Sequence, residues 1–351
     1  MIIAATLPQV DSIRRLQTSI CSATSVSALA MHAASARDIV SDLMLAEAGP
    51  ALVTRCLSRI NDDVVVRVLH LTLRQFRLPP ARWCWMGLGS EGRLEQTLAT
   101  DQDNGLLFSA SDDAEARQLR SLFLPFAQAV NQGLAECGFP LCDGDVMAGN
   151  PRWCLSLSEW KEAFSTWVRT PEPDALLNAS IFFDFRMIEG DIELAVELRS
   201  YISGLTRGNE IFLRMMAQNA LAARPPLGRL RDFDTSSSDG LIDLKKYGTR
   251  IFVDVARILA LGAGVIATAT AGRLQRAADE RALASDLSRA SCHAFHAMQG
   301  IRLTSQLASP EIKNSIDPNS LNTFDRRVLL ESFRQARALQ QMLATRFQLT
   351  V

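Results

Sequence analysis

"GLGSEGRLEQTLATDQDNGLLF", residues Gly87–Phe108, decides how the chain is read. A Gly-Ser pair, Gly89 and Ser90, is followed by Asp101 and Asp103, and the chain then enters an apolar stretch. Carboxylates beside an apolar strand need a compensating partner, because a buried, unpaired charge is expensive. On an extended segment residues two apart share a face, so Asp101 and Asp103 are expected to point together. Neighbouring carboxylates repel, and one proton or one hard cation resolves the conflict. Mg²⁺ suits the place: it takes oxygen ligands and typically binds one or two carboxylates together with substrate phosphates. The Gly-Ser turn offers a seat for such phosphates. Backbone amides of Gly89 and Ser90 at a helix start form an anion site, the Ser90 hydroxyl can add to it, and Arg93 is one turn on. Each piece alone has an ordinary reading, as a turn with its cap or a solvated acidic pair. Strand, Gly-Ser, short helix and D-x-D opening a second strand are far more specific together.

Outward from this stretch, "WCWMGLG" (Trp83–Gly89) reads as the strand before the turn, "SEGRLEQT" as a short helix begun by Ser90, and "DNGLLF" as the second strand. A long amphipathic helix is expected from about Ser111 to Cys137, with Leu119, Leu122, Phe126, Val130 and Leu134 as its apolar stripe and Gly138 and Pro140 as its stop. A glycine-containing loop, "CDGDVMAGNPRW", precedes a helix over Ser158–Val168, and "ASIFFDFRMIEG" (Ala179–Gly190) reads as a strand. Residues 10 to 77 carry helical patterning up to the break at "RLPPAR", and from about Glu193 helix follows helix, interrupted over Arg224–Gly248. The apolar run Ile258–Ala271 is too short for a bilayer span of about 20 residues and reads as a buried core helix. The expected fold is α+β: N-terminal helices over 1–78, a small α/β core with a mixed sheet over 79–192, and a C-terminal helical bundle over 193–351.

Composition bounds the function classes. With 37 Lys plus Arg against 38 Asp plus Glu there is no net field to draw nucleic acid or an anionic membrane, so a nucleic-acid partner is disfavoured. Hydrophobic residues make up 48%, enough for a substantial core. Seven scattered cysteines with no C-x-x-C pair read as reduced thiols rather than a disulfide frame or zinc site. The start "MIIAATLPQVDSIRR" lacks the basic segment of a signal peptide, and a cytoplasmic protein is expected.

Gly-Ser, a spacer of about ten residues, then D-x-D resembles the signature of the nucleotidyltransferase superfamily related to DNA polymerase beta. The fuller string resembles nucleotidyltransferases often fused to CBS and cyclic-nucleotide-binding domains, relatives of the PII-protein uridylyltransferases and the glutamine-synthetase adenylyltransferases. The likeness continues through "CDGDVMAGNPRWCLSLSEW", "IFFDFRMIEG" and "IDLKKYGTRI".

The resemblance implies metal-dependent transfer of a nucleoside monophosphate from a nucleoside triphosphate to an acceptor hydroxyl, with UTP the first donor and a PII-like protein the first acceptor. It further implies that Mg²⁺ or Mn²⁺ is held by Asp101, Asp103 and a third carboxylate. "FFDFR" looks like the counterpart of that third position, making Asp184 a metal ligand and base; Asp143 and Asp145 are rivals. Gly89, Ser90 and Arg93 would orient phosphates, Glu95 would support Arg93 or the turn, and Thr100 would hold the strand entry. Arg186 would share a strand face with Asp184. Lys245, in "IDLKKYG", is a nucleotide or acceptor contact or else an ordinary solvated lysine. Transfer to a small molecule or to RNA, and a nucleotide-sensing module without catalysis, stay open as alternatives.

His293 and His296 read as helix surface or core. Trp153, Trp160 and Trp167, recurring every seven residues, read as one packed helix face.

Overall fold

The computed structural model describes residues 7–228, 232–234, 240–309 and 314–350. The opening residues 1–6, and residues 229–231 and 235–239 of the expected interruption, lie outside the described residues. The architecture is α+β, a four-stranded mixed sheet with flanking helices, as expected.

Four helices come first: α1 (Leu7–Ser22), α2 (Val26–Ala34), α3 (Ala36–Leu45) and α4 (Pro50–Leu73). Pro50 opens α4, where a missing N–H costs nothing. After the Pro79-Pro80 break come β1 (Trp83–Gly87), the short helix α5 (Gly89–Gly92) and β2 (Asn104–Phe108); α5 starts before Ser90, has no side-chain cap and stops at Gly92 rather than running on to Thr97. Helix α6 (Asp113–Glu136) has Asp112 as its cap, whose side chain accepts from the Glu115 amide. Of its expected stripe, Leu119, Phe126, Val130 and Leu134 are buried, but Leu122 is exposed and Phe123 takes the inward place instead, stacked on Phe108 at 5.2 Å, with Phe126 edge-on to Trp83 at 5.8 Å. Each such side chain contributes about 1.5–3 kcal/mol by leaving water.

A three-residue strand, β3 (Cys154–Ser156), leads directly into α7 (Leu157–Arg169). The "ASIFF" segment differs from expectation: it completes a helix, α8 (Pro173–Phe182), and β4 (Arg186–Gly190) begins only afterwards. A short apolar run fits a buried helix end as well as a strand, and here Phe182 and Phe183 pack against Trp153 and Phe164. Trp153 and Trp160 are buried and stacked, and the Trp160 indole donates to the Leu106 carbonyl, so both are core, but Trp153 precedes β3 and does not share a helix face with Trp160 and Trp167 as expected.

The sheet order is β3-β2-β1-β4, with β1 antiparallel to both β2 and β4 and β3 parallel to β2. The chain then continues through α9 (Ile192–Thr206), α10 (Glu210–Ala220), β5 (Ile242–Asp243), a π-helical turn at Lys245–Thr249, α11 (Arg250–Ala263), α12 (Thr270–Asp279), α13 (Ser285–Ala308), β6 (Ser315–Ile316) and α14 (Thr323–Phe347). The apolar run Ile258–Ala271 is thus not one helix. Gly264, at φ 72°, ends α11 in the left-handed cap that glycine adopts without strain.

Two compact units result. One holds residues up to Gln96 with Thr100–Thr166 and Ile181–Ile202; the other holds Thr97–Ala99, Trp167–Ser180 and Ser203 onward. The first contains the sheet, α1–α6 and most of α7, and the second contains α10–α14 and the β5–β6 pair. Among the described residues no helix is long and apolar enough to cross a membrane.

Candidate active site

The antiparallel register of β1 places Gly87 opposite Asn104 on one side and opposite Arg186 on the other. The turn leaving β1, the segment entering β2 and the segment entering β4 therefore meet at one end of the sheet. The Leu88 amide donates to the Asp103 carbonyl at 2.9 Å, extending the ladder one residue past the strands. Gly89 follows at φ 53°, and a Cβ there would stand 3.2 Å from Asp103 Oδ2. The positive φ favours glycine at this turn, and any side chain there would crowd Asp103.

Side chains alternate on entry to β2. Gln102 and Asn104 are 3% and 1% exposed, whereas Asp101 and Asp103 are half-buried on the other face. The inward pair organises the loop after α6. Gln102 Nε2 donates to the Asn131 and Phe139 carbonyls, and Asn104 Oδ1 accepts from Asn131 Nδ2 and the Ala148 amide. Backbone bonds add to this: Gln102 N to Pro140 O and Asn104 N to Val146 O, both 3.1 Å. Between these two anchors lies Cys142, whose Sγ is 3.5 Å from Asp103 Oδ1. Ligand atoms of Asp101, Asp103 and Cys142 all lie within 4.8 Å of one another, the one such group of three among the described residues. Burial raises the Cys142 thiol above its ordinary pKa, amides of Val146 and Gly144 oppose this, and Asp103 and Asp101 add to the rise. Two carboxylates and a thiol beside a glycine cradle are a donor set that fits a divalent cation.

Asp184 is placed differently from expectation. It precedes β4, does not share a strand face with Arg186, and is not in the three-residue group. Fully buried, it accepts from Arg93 Nη1 at 2.7 Å through Oδ2. Arg93 Nε donates in turn to Glu95 Oε2 at 2.8 Å. Gly92 makes this approach possible, since a Cβ there would lie 1.8 Å from the Asp184 carbonyl oxygen. The second glycine of the motif thus brings the Asp184 backbone close to the turn that carries Arg93.

Beneath the turn, the side chain of Glu91 is buried, and burial with help from the Asp62 charge pushes its pKa up to about 8, with Arg186 opposing. Arg186 Nη2 bonds Asp62 Oδ1 at 2.8 Å and the Glu91 carbonyl at 3.1 Å. Burial likewise raises Asp62 above the usual carboxylate range, against the pull of Arg186. The sequence alone gave no signal for Asp62, which comes from α4.

Ser90 is half-buried in α5. Thr100 Oγ1 accepts from Gln96 Nε2 at 3.3 Å and lies 3.4 Å from the Asp101 carbonyl. The rivals Asp143 and Asp145 are exposed, and Asp145 Oδ2 accepts from Asn150 Nδ2. Lys245 is exposed in the second unit. His293 is exposed on α13, and His296 lies against Phe295. All seven cysteines are free thiols.

Residues 34–174 match the family described as Putative nucleotidyltransferase DUF294, and residues 210–347 match the one described as Putative nucleotidyltransferase substrate binding domain. No curated protein matches the chain.

Proposed function

The chain belongs to the nucleotidyltransferase superfamily, and on that premise we propose that it moves a nucleoside monophosphate, UMP first, from its triphosphate to a hydroxyl on a PII-like protein. The observation that carries this reading is the pair Asp101 and Asp103 beside the Gly89 turn, where a side chain on residue 89 would stand 3.2 Å from Asp103 Oδ2. In this reading Asp101 and Asp103 hold the divalent cation, Mg²⁺ or Mn²⁺. When bound, that cation supplies charge neutralisation for the phosphates and the departing pyrophosphate. Gly89 and Ser90 seat the phosphates through their amides, and Arg93, fixed between Glu95 and Asp184, neutralises them from a set position. Asp184 acts through Arg93, since its Oδ2 is engaged there. Acceptor binding falls to helices within 210–347, in keeping with the description of that span. Positioning and electrostatics then supply most of the catalysis.

The test is transfer of α-labelled UTP, and in parallel ATP, into protein of a bacterial lysate with Mg²⁺ or Mn²⁺, comparing wild type with Asp101→Ala/Asp103→Ala. A labelled band made only by wild type is the expected result. Absence of label with retained metal-dependent nucleotide binding would overturn protein modification.

A further inference from the structure

A sulfur stands beside the two aspartates of the site: Cys142 Sγ is grouped with Asp101 and Asp103. Asp184, the expected third carboxylate, has its Oδ2 on Arg93, and the exposed Asp143 and Asp145 are outside the group of three. Cys142 alone of the seven cysteines joins the two aspartates within 4.8 Å, among the described residues. Its place is built. The Gln102–Pro140 and Asn104–Val146 backbone bonds bracket the turn that carries it, and the Asp145 amide closes that turn on the Cys142 carbonyl at 2.9 Å. Cys142 Sγ donates to Asp103 Oδ1 at 3.5 Å, a separation that leaves the two atoms able to share one cation.

We propose that Cys142 is the third ligand of this site, giving two carboxylate groups and one sulfur, and that it turns cation preference away from Mg²⁺ toward borderline and soft divalent ions. The proposal deepens the functional reading above and rests on it for the identity of the site. Thiolate ligands favour softer metals, whereas Mg²⁺ favours oxygen and retains its waters. On binding, the Sγ–H bond breaks, its proton passes to solvent, and the Sγ–metal bond forms.

The test uses the full chain without nucleotide. Cd²⁺ and Co²⁺ titrations are followed by the sulfur-to-metal charge-transfer absorption, with Cys142→Ser, Cys142→Asp and Asp101→Asn beside wild type. Wild type is expected to gain one band per chain that Cys142→Ser lacks, with Co²⁺ binding weakened about tenfold or more. Cys142→Asp is expected to keep cation binding, lose the band and bind Mg²⁺ better relative to Co²⁺. A full band in Cys142→Ser, or Co²⁺ affinity within about twofold of wild type, would overturn the assignment. A measurement on wild type alone covers a variant that does not fold: saturating Co²⁺ should protect Cys142 from alkylation, read by mass spectrometry, and equal labelling with and without the ion would also overturn it. A Cys142-dependent band without nucleotidyl transfer leaves the ligand standing and removes the functional reading. Transfer with a Cys142-independent band does the reverse.

Discussion

Two groups of carboxylates meet the same end of the sheet with opposite surroundings. Asp101 and Asp103 are half-buried next to a thiol and a glycine turn. Asp184 and Asp62 are buried against guanidinium groups, Arg93 for the one and Arg186 for the other. Asp184 and Asp62 each face a guanidinium held in place by the protein, whereas two carboxylates and a thiol together make a donor set that fits a cation. The comparison separates residues that build the site from residues positioned to bind, even though all are acidic.

Arg93 is the place to break the builders. Arg93→Met should leave Asp184 buried without this partner and cost about 3–5 kcal/mol in denaturant unfolding. Retained stability together with lost transfer would instead assign Arg93 to the phosphates alone. On the binding side, Asp101→Asn should lower transfer by about 10²–10³-fold, a magnitude typical of losing a transition-state charge partner, while the melting temperature barely changes. A large loss of stability there would erase the contrast.

Glu91 sharpens the comparison through pH. Its folded pKa, about 8, is raised above the usual 4.5, so the folded protein holds the proton more tightly than the unfolded chain. The stabilisation is complete below pH 4.5, falls as pH rises toward 8, and is then gone. Glu91→Gln should flatten that decline and gain on the order of 2 kcal/mol at pH 9 relative to wild type. Unfolding curves at pH 5 and pH 9 decide it; a wild-type stability that does not fall between them would sink the assignment. The smallest effect is expected at exposed Lys245, where Lys245→Ala should change stability by under about 0.5 kcal/mol. A tenfold rise in nucleotide KM would make it a ligand contact rather than a solvated lysine.

Much of the first group was legible because its signals are local. β1, the turn and β2 lie within Trp83–Phe108, and each is announced by a short apolar run, a glycine or a polar pair. α6 was legible from most of its apolar stripe and from the Gly138 and Pro140 that stop it. The second group depends on distant partners. Asp62 reaches Arg186 across the sequence, and "ASIFF" became a helix end through tertiary packing that no window of sequence contains. β3, three residues long, is too short to show a period. Cys142 was passed over because cysteine spacing was read for pairs of cysteines. The informative feature is its place in "CDGD", beside Asp143 and Asp145, which are exposed and outside the group of three.

The strand order also has a consequence for synthesis. β1 pairs on one side with β2, which follows promptly, and on the other with β4, which starts at Arg186. At about 5–20 residues per second, the β1 edge facing β4 waits on the order of 5–20 s on the ribosome. During that interval the nascent chain carries an apolar "WCWMG" edge open to wrong pairing, so chaperone demand should be greatest just before β4 emerges.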